Sequence, residues 1–346
     1  MDKYSRTGFI AGAILSLLAC GVASPGVAAE RIPVKVLIIS MFSLEGAPWI
    51  AALKPDREVR VPGLSSDYPL VRCTESGVCQ MTTGMGHASA AASMTAVIYS
   101  GLFDLRHTYF LIAGIAGIDP THGTIGSATW ARYLVDVDIA HEIDAREMPK
   151  GWTDGYFGTL TNTPSEKPRL DYRTELFQVD EPLLQKALQL SRHAQLEDSA
   201  DVVAYRKSYP NAPANQPPAV TQCDTASGDV WWAGPKLGMR AARYTRLLTD
   251  GHGVYCTSQQ EDNATLLALT RGSQSGLTDV HRVAVLRTGS DFDRPYPGQS
   301  TYDSLVAQRS LSGAIHTSTA NLVHAGLPLV QDIVAHWSQW ENGVPH

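Results

Sequence analysis

The chain has 346 residues, 44% of them hydrophobic and 18% charged, with a formal net charge of −6. That balance supports a sizeable buried core and speaks against nucleic acid as a partner, because an acidic surface with no basic run among aromatics has nothing to neutralise phosphates. Beyond the amino terminus no uninterrupted apolar run reaches the roughly 18 residues that a membrane-crossing helix needs.

The first element is a targeting segment. "MDKYSRT" carries Lys3 and Arg6, "GFIAGAILSLLACGVAS" is apolar, and "GVAAE" supplies small residues at Val27 and Ala29. A signal peptide over residues 1–29, cleaved near Ala29, is expected, with the mature protein secreted or periplasmic. The alternative is a lipoprotein processed at Cys20, the one case in which a membrane would be a partner. Residues 30–346 show no linker that would separate two folding units.

Strand-like runs then recur, each followed by small or polar residues and a helical pattern. "VKVLIIS" spans 34–40, "TYFLIAGIAGI" 108–118, "GVYCTSQ" 253–259 and "HRVAVLRTG" 281–289. Between them lie helical stretches such as "HASAAASMTAVIYSGL" (87–102) and "EDNATLLALTRGS" (261–273). The alternation predicts a single-domain α/β fold, a twisted mixed sheet flanked by helices. The segment of about 140–220 breaks this rhythm with Pro, Asp, Tyr and Lys, and reads as an irregular insertion and a possible lid. Near the end, "STANLVHAGLPLVQDIVAHWSQW" predicts two helices interrupted at Gly326, Leu327 and Pro328.

After leader removal four cysteines remain. Cys73 and Cys79 sit in "RCTESGVCQ", two strand-like arms around a Ser-Gly turn, a spacing that a disulfide across a hairpin accepts. Cys223 and Cys256 then either pair with each other or remain two buried thiols. No Cys or His spacing resembles a zinc site; His107, His122 and His141 are scattered, and no metal is expected.

Several strand ends carry groups suited to chemistry. "LIISMFSLEGAPW" presents Glu45 after the first strand, and "TTGMGHASAA" is a glycine turn, with Gly84 and Gly86, into a helix at His87. "AGIAGIDP" is a second glycine-rich strand end containing Gly114. "TASGDVWWAG" places Ser227 and Gly228 before Trp231 and Trp232, "YCTSQQEDNATL" carries Gln260 and Glu261, and "LRTGSDFD" carries Arg287, Ser290, Asp291 and Asp293. In open α/β sheets ligands bind at the carboxyl ends of strands, which is where these residues fall.

Taken in order over residues 34–295, the motifs resemble the nucleoside phosphorylase and nucleosidase superfamily, and within it the methylthioadenosine and S-adenosylhomocysteine nucleosidases. Over its whole length, leader and insertion included, the chain resembles the purine nucleoside permease family, which is named for a transport phenotype and has the nucleosidase fold. The resemblance implies a nucleoside phosphorylase-like fold, a purine nucleoside as ligand, no cofactor, and a homo-oligomer. It matches Asp291 to the acid that protonates the departing base, with Ser290 and Arg287 orienting that region, and Glu45 to the water-activating glutamate. Glu261 matches the acceptor of ribose hydroxyls and Trp231 the aromatic that stacks on the base; Gln260, Gly84, Gly86, His87, Gly114 and Ser227 complete the expected binding set.

Simpler readings stand beside these. Glu45 and Glu261 can be helix N-terminal charges, Trp231 and Trp232 core or interface aromatics, and Asp293 structural. Phosphorolytic relatives place an arginine before the second glycine strand end, where this chain reads "FLIAGIAGI"; His87, Arg72 and Arg106 remain as candidate cations. "QQE" in place of Glu-Met-Glu leaves Glu261 as the matched ribose contact. The sequence therefore predicts a purine nucleosidase, with a nucleoside-binding component of a transport system and a nucleoside phosphorylase as alternatives.

Overall fold

A computed structural model describes residues 30–345. The expected signal peptide and Cys20 lie outside the described residues. The apolar runs become strands of a mixed 12-stranded sheet. Its middle is the ten-residue strand Tyr109–Ile118. Val36–Ser40 pairs with it in parallel at its start, Tyr255–Gln259 pairs antiparallel at its end, and Val283–Phe292 runs parallel along its other edge. All of Val36–Ser40 is buried, as expected of a strand covered on both faces. The α/β fold with a large twisted sheet flanked by helices follows the sequence expectation.

Outward from Val36–Ser40 the sheet continues through Val78–Thr82, Leu70–Cys73 and Arg57–Arg60. Cys73 and Cys79 face each other across the hairpin and are bonded, and Cys223 is bonded to Cys256. In the other direction lie Asp224–Ser227, Tyr133–Asp136 and Leu176–Gln178, so the insertion contributes an edge strand. It also holds the helices Glu181–Ser191 and Ala200–Arg206 and a small hairpin of Ala140–Glu142 with Tyr156–Gly158. Two arginines of the helix Pro235–Leu248 clasp that hairpin: Arg243 bonds to Asp154 at 2.9 Å, and Arg240 bonds to Glu142 and lies 4.5 Å over the Tyr156 ring.

The expected interruption at Gly326–Pro328 does not occur. Ser312–Ala335 is one helix of 24 residues with Pro328 inside it. A proline inside a helix removes one backbone hydrogen bond and costs about 3 kcal/mol, which packing must offset. Gly326 shows how it does so. A Cβ there would stand 2.8 Å from the fully buried Trp49 and 3.1 Å from Leu286, so the glycine marks a close approach of the helix to the core, not a break.

Candidate active site

The strand ends converge on a cavity of about 350 Å³. Glu45, Trp231, Gln260, Glu261, Arg287, Ser290 and Asp291 all line it. Glu45 is delivered by the tight passage from Val36–Ser40 into the helix Ser43–Leu53, in whose first turn it lies. Its Oε2 accepts from the Met41 N–H and its Oε1 from the Ile115 N–H, each at 2.7 Å. Glu45 is thus both a helix-terminal charge and a wall of the cavity. Burial pushes its carboxyl up to about 7, against the opposing pull of Arg287 and of those two N–H groups.

Arg287 stands opposite Gly114 in the register of the two long strands. A Cβ at Gly114 would fall 2.5 Å from Arg287 Nη1 and 2.9 Å from Glu45 Oε1. Only glycine leaves room for both charged groups. The guanidinium donates to the Ile115 carbonyl at 2.9 Å, to Glu261 Oε2 at 3.3 Å and to both oxygens of Asp262. Burial works against its charge, but Asp262 and Glu261 outweigh burial and hold Arg287 above the ordinary arginine value.

The pairing slips between Gly289 and Asp291, so Ser290 is an extra residue and Asp291 stands opposite Gly117. A bulge of this kind re-aims side chains beside a site, and here Ser290 and Asp291 both reach the cavity. The Ser290 hydroxyl lies 2.9 Å from Asp291 Oδ1. Burial pushes the Asp291 carboxyl up to about 6, with Ser290 and Trp231 pulling the other way. Asp293, two residues on, is outside the lining and is gripped by Arg294 at 2.6 Å and by the Tyr255 hydroxyl at 2.9 Å.

Glu261 accepts from the Gly86 N–H at 3.1 Å and the Gln260 N–H at 3.2 Å. Gln259, two residues earlier, also lines the cavity, but its side chain is engaged within the protein. Its Oε1 accepts from the N–H groups of Glu261 and Asp262, capping the helix Asp262–Gln274, while its amide donates to Ser227 at 2.6 Å.

Five of the sequence-predicted binding residues lie behind this lining. Gly114 sits beneath Glu45 and Arg287, and Ser227 is buried against Asn263. Gly84 and Gly86 form a turn with φ of 87° and 88°, which thrusts the residue between them, Met85, into the cavity wall. The His87 N–H donates to Asp229, and its ring faces Asp138 and Asp229. Sequence reasoning also missed the apolar walls, Met41, Phe42, Met85, Ile115, Val230 and Ile315. Of these, Met85 alone had a signal in its two flanking glycines. Arg72 pairs with Glu58 and Arg106 with Asp104, leaving Arg287 as the one arginine or lysine among the described lining residues. None of residues 140–220 is in that lining, and among the described residues no group of acidic, His or Cys side chains is arranged to hold a metal.

A family model described as purine nucleoside permease matches residues 33–345. A probable purine nucleoside permease of Schizosaccharomyces pombe is 40% identical over 345 residues, covering 96% of this chain and 98% of its own length. A purine nucleoside permease of Candida albicans is 39% identical over 89% of this chain and 77% of its own. Among solved structures, the futalosine hydrolase of Helicobacter pylori superposes with a TM-score of 0.54 at 14% identity, over 86% of this chain and 98% of its own. The 5′-methylthioadenosine/S-adenosylhomocysteine nucleosidase of Neisseria meningitidis does so with 0.53 at 14% identity, over 86% and 99%. At that identity the two structures establish the fold, which is that of the nucleosidases.

Proposed function

The chain belongs to the purine nucleoside permease family, and from that premise we propose that it binds a purine nucleoside in this cavity and hydrolyses the N-glycosidic bond to free base and pentose. Breaking that bond builds positive charge on the sugar and negative charge on the base, so the base leaves readily only when a proton reaches it. Asp291, its carboxyl raised by burial to about 6, donates that proton to the base. Glu45 takes a proton from a water on the far side of the sugar, Glu261 accepts from the ribose hydroxyls, and Trp231 stacks on the base.

The observation that carries the proposal is the pair of carboxylates in one cavity, pushed up to about 7 at Glu45 and about 6 at Asp291. A Cβ at Gly114 would stand 2.9 Å from Glu45 Oε1 and one at Gly117 3.5 Å from Asp291 Oδ2, so both carboxylates close on the glycine-rich end of one long strand. Both line the same cavity, which leaves one carboxylate for the base and one for the sugar side of a bound nucleoside. Phosphorolysis is disfavoured because Arg287 is already engaged by Asp262 and Glu261.

The relatives' names favour a second reading, a nucleoside-binding component of transport without turnover. No helix among the described residues is long and apolar enough to cross a membrane. Export through the leader, and assembly of copies over the exposed Met85, Val230 and Trp231, belong to the same proposal.

The test is chromatography of adenosine, inosine and guanosine after incubation with the purified protein, with and without phosphate. Free base and free pentose without phosphate are expected. Ribose 1-phosphate formed only with phosphate would make it a phosphorylase, and unchanged nucleoside with binding seen by calorimetry would move it to the transport reading.

A further inference from the structure

Residues 228–233, between the strand Asp224–Ser227 and the helix Pro235–Leu248, form neither helix nor strand, yet Gly228, Val230, Trp231 and Trp232 line the cavity. Val230 and Trp231 are 66% and 62% exposed, so their own packing does not hold them in place. What fixes the segment is at its ends. At the far end the Gly234 N–H donates to the Asp293 carbonyl at 2.7 Å, and Trp232 packs against Tyr255 with ring centres 6.0 Å apart.

At the near end everything converges on Asp229. Its Oδ1 accepts from the His87 N–H at 2.8 Å, its N–H donates to Asp138 Oδ2 at 2.7 Å, and its carbonyl accepts from Gln260 Nε2 at 2.7 Å. His87 opens the 13-residue helix His87–Tyr99, so the carboxylate also meets the positive end of a helix. The His87 ring Nδ1 lies 3.9 Å from both Asp138 and Asp229. The packing admits little slack, since a Cβ at Gly86 would stand 3.2 Å from Asp229 Oδ1 and one at Gly228 2.8 Å from Asp138 Oδ1.

We propose that Asp229, held by His87 and Asp138, is a positioning residue that pins the 228–233 segment and thereby sets Trp231 against the bound base. This inference rests on the nucleoside reading of the cavity, and it gives His87 a supporting role in place of substrate contact. Asp229 touches none of the reacting groups. Trp231 exerts the weakest of the pulls on the Asp291 carboxyl, so loss of Asp229 weakens nucleoside binding far more than it slows the chemical step.

The experiment compares wild type, Asp229→Ala and Asp229→Asn by steady-state kinetics with inosine. In parallel, tryptophan fluorescence is titrated with formycin A, a nucleoside analogue whose carbon–carbon glycosidic bond resists hydrolysis; Trp231→Phe identifies the responding residue. For Asp229→Ala the expected result is a rise of about ten-fold in KM and in the formycin Kd with kcat within two-fold, the size of one charge-assisted hydrogen bond. Asp229→Asn keeps an oxygen acceptor for the His87 N–H and should recover most of the affinity. A fall in kcat at unchanged KM, or an unaltered formycin Kd in Asp229→Ala, would overturn the proposal. If Asp229→Ala does not fold, Asp138→Ala removes the acceptor of the Asp229 N–H and is read in the same way. Wild type that binds formycin but turns over no nucleoside would defeat the hydrolase reading alone, and the formycin titrations would still decide the pin.

Discussion

Asp291 and Asp293 leave the same strand two residues apart, and burial pushes both carboxyls up to about 6. Their surroundings divide them. Asp293 is answered by Arg294, which also reaches Asp119 at 2.8 Å, and by the Tyr255 hydroxyl, and it is shut away from the cavity. Asp291 meets only uncharged partners, the Ser290 hydroxyl and Trp231, and lines the cavity wall. A perturbed carboxyl is thus no sufficient mark of a catalytic acid; access to the substrate and freedom from a fixed cation decide it.

The largest expected effect sharpens this contrast. Asp291→Asn should lower turnover by roughly two to four orders of magnitude with nucleoside affinity kept within a few-fold, the usual scale of a general-acid contribution. Glu45→Gln should lower turnover by about two orders of magnitude, both variants being read in a single-turnover assay. If either variant retains wild-type turnover, that residue is not in the proton path.

Gly114→Ala comes next. Its new methyl group would crowd both Arg287 and Glu45, and displacing a reacting group by about 1 Å can cost up to roughly a hundred-fold in rate. kcat is expected to fall, with about 1–3 kcal/mol of stability lost to overpacking. An unchanged kcat would mean that the Glu45 position is not critical.

The pH profile tests the two carboxyls together. On the proposed mechanism Asp291 acts only when protonated, so activity falls as pH rises above about 6, and Glu45 only when ionised, so activity falls as pH drops below about 7. A bell centred between those values is expected for kcat/KM, with the acid limb lost in Glu45→Gln. Smallest in rate, Asp293→Asn should leave turnover within a few-fold while costing about 3 kcal/mol of stability, because it unbalances a buried ion pair. Turnover collapsing in Asp293→Asn with stability intact would erase the distinction drawn between the two aspartates.

Much of the candidate site was legible in local pattern. Glu45 and Glu261 come within five residues of the ends of Val36–Ser40 and Tyr255–Gln259, and Arg287, Ser290 and Asp291 lie within Val283–Phe292, from its middle to its carboxyl end. The cross-hairpin pairing of Cys73 with Cys79 was legible too, because it is a short-range contact. The His87 ring could not be placed from sequence, because a helix-initiating position says nothing about where the ring turns, and here its Nδ1 lies 3.9 Å from Asp138 and Asp229. The break at Gly326–Pro328 was misread because the signal for a helix stop is local, whereas the compensation comes from Trp49, far away in sequence.

By itself the sequence determined which residue types stand at the carboxyl ends of the core strands, and hence the α/β class and the choice of candidate acids and bases. Periodicity and strand ends are written within a few residues. Only the tertiary structure decided which of the neighbouring aspartates faces the cavity, how the slip at Ser290 aims it, and which apolar side chains, from Met41 to Ile315, close the walls. Those outcomes depend on register and on partners brought together from distant parts of the chain, and local sequence does not encode the distance between them.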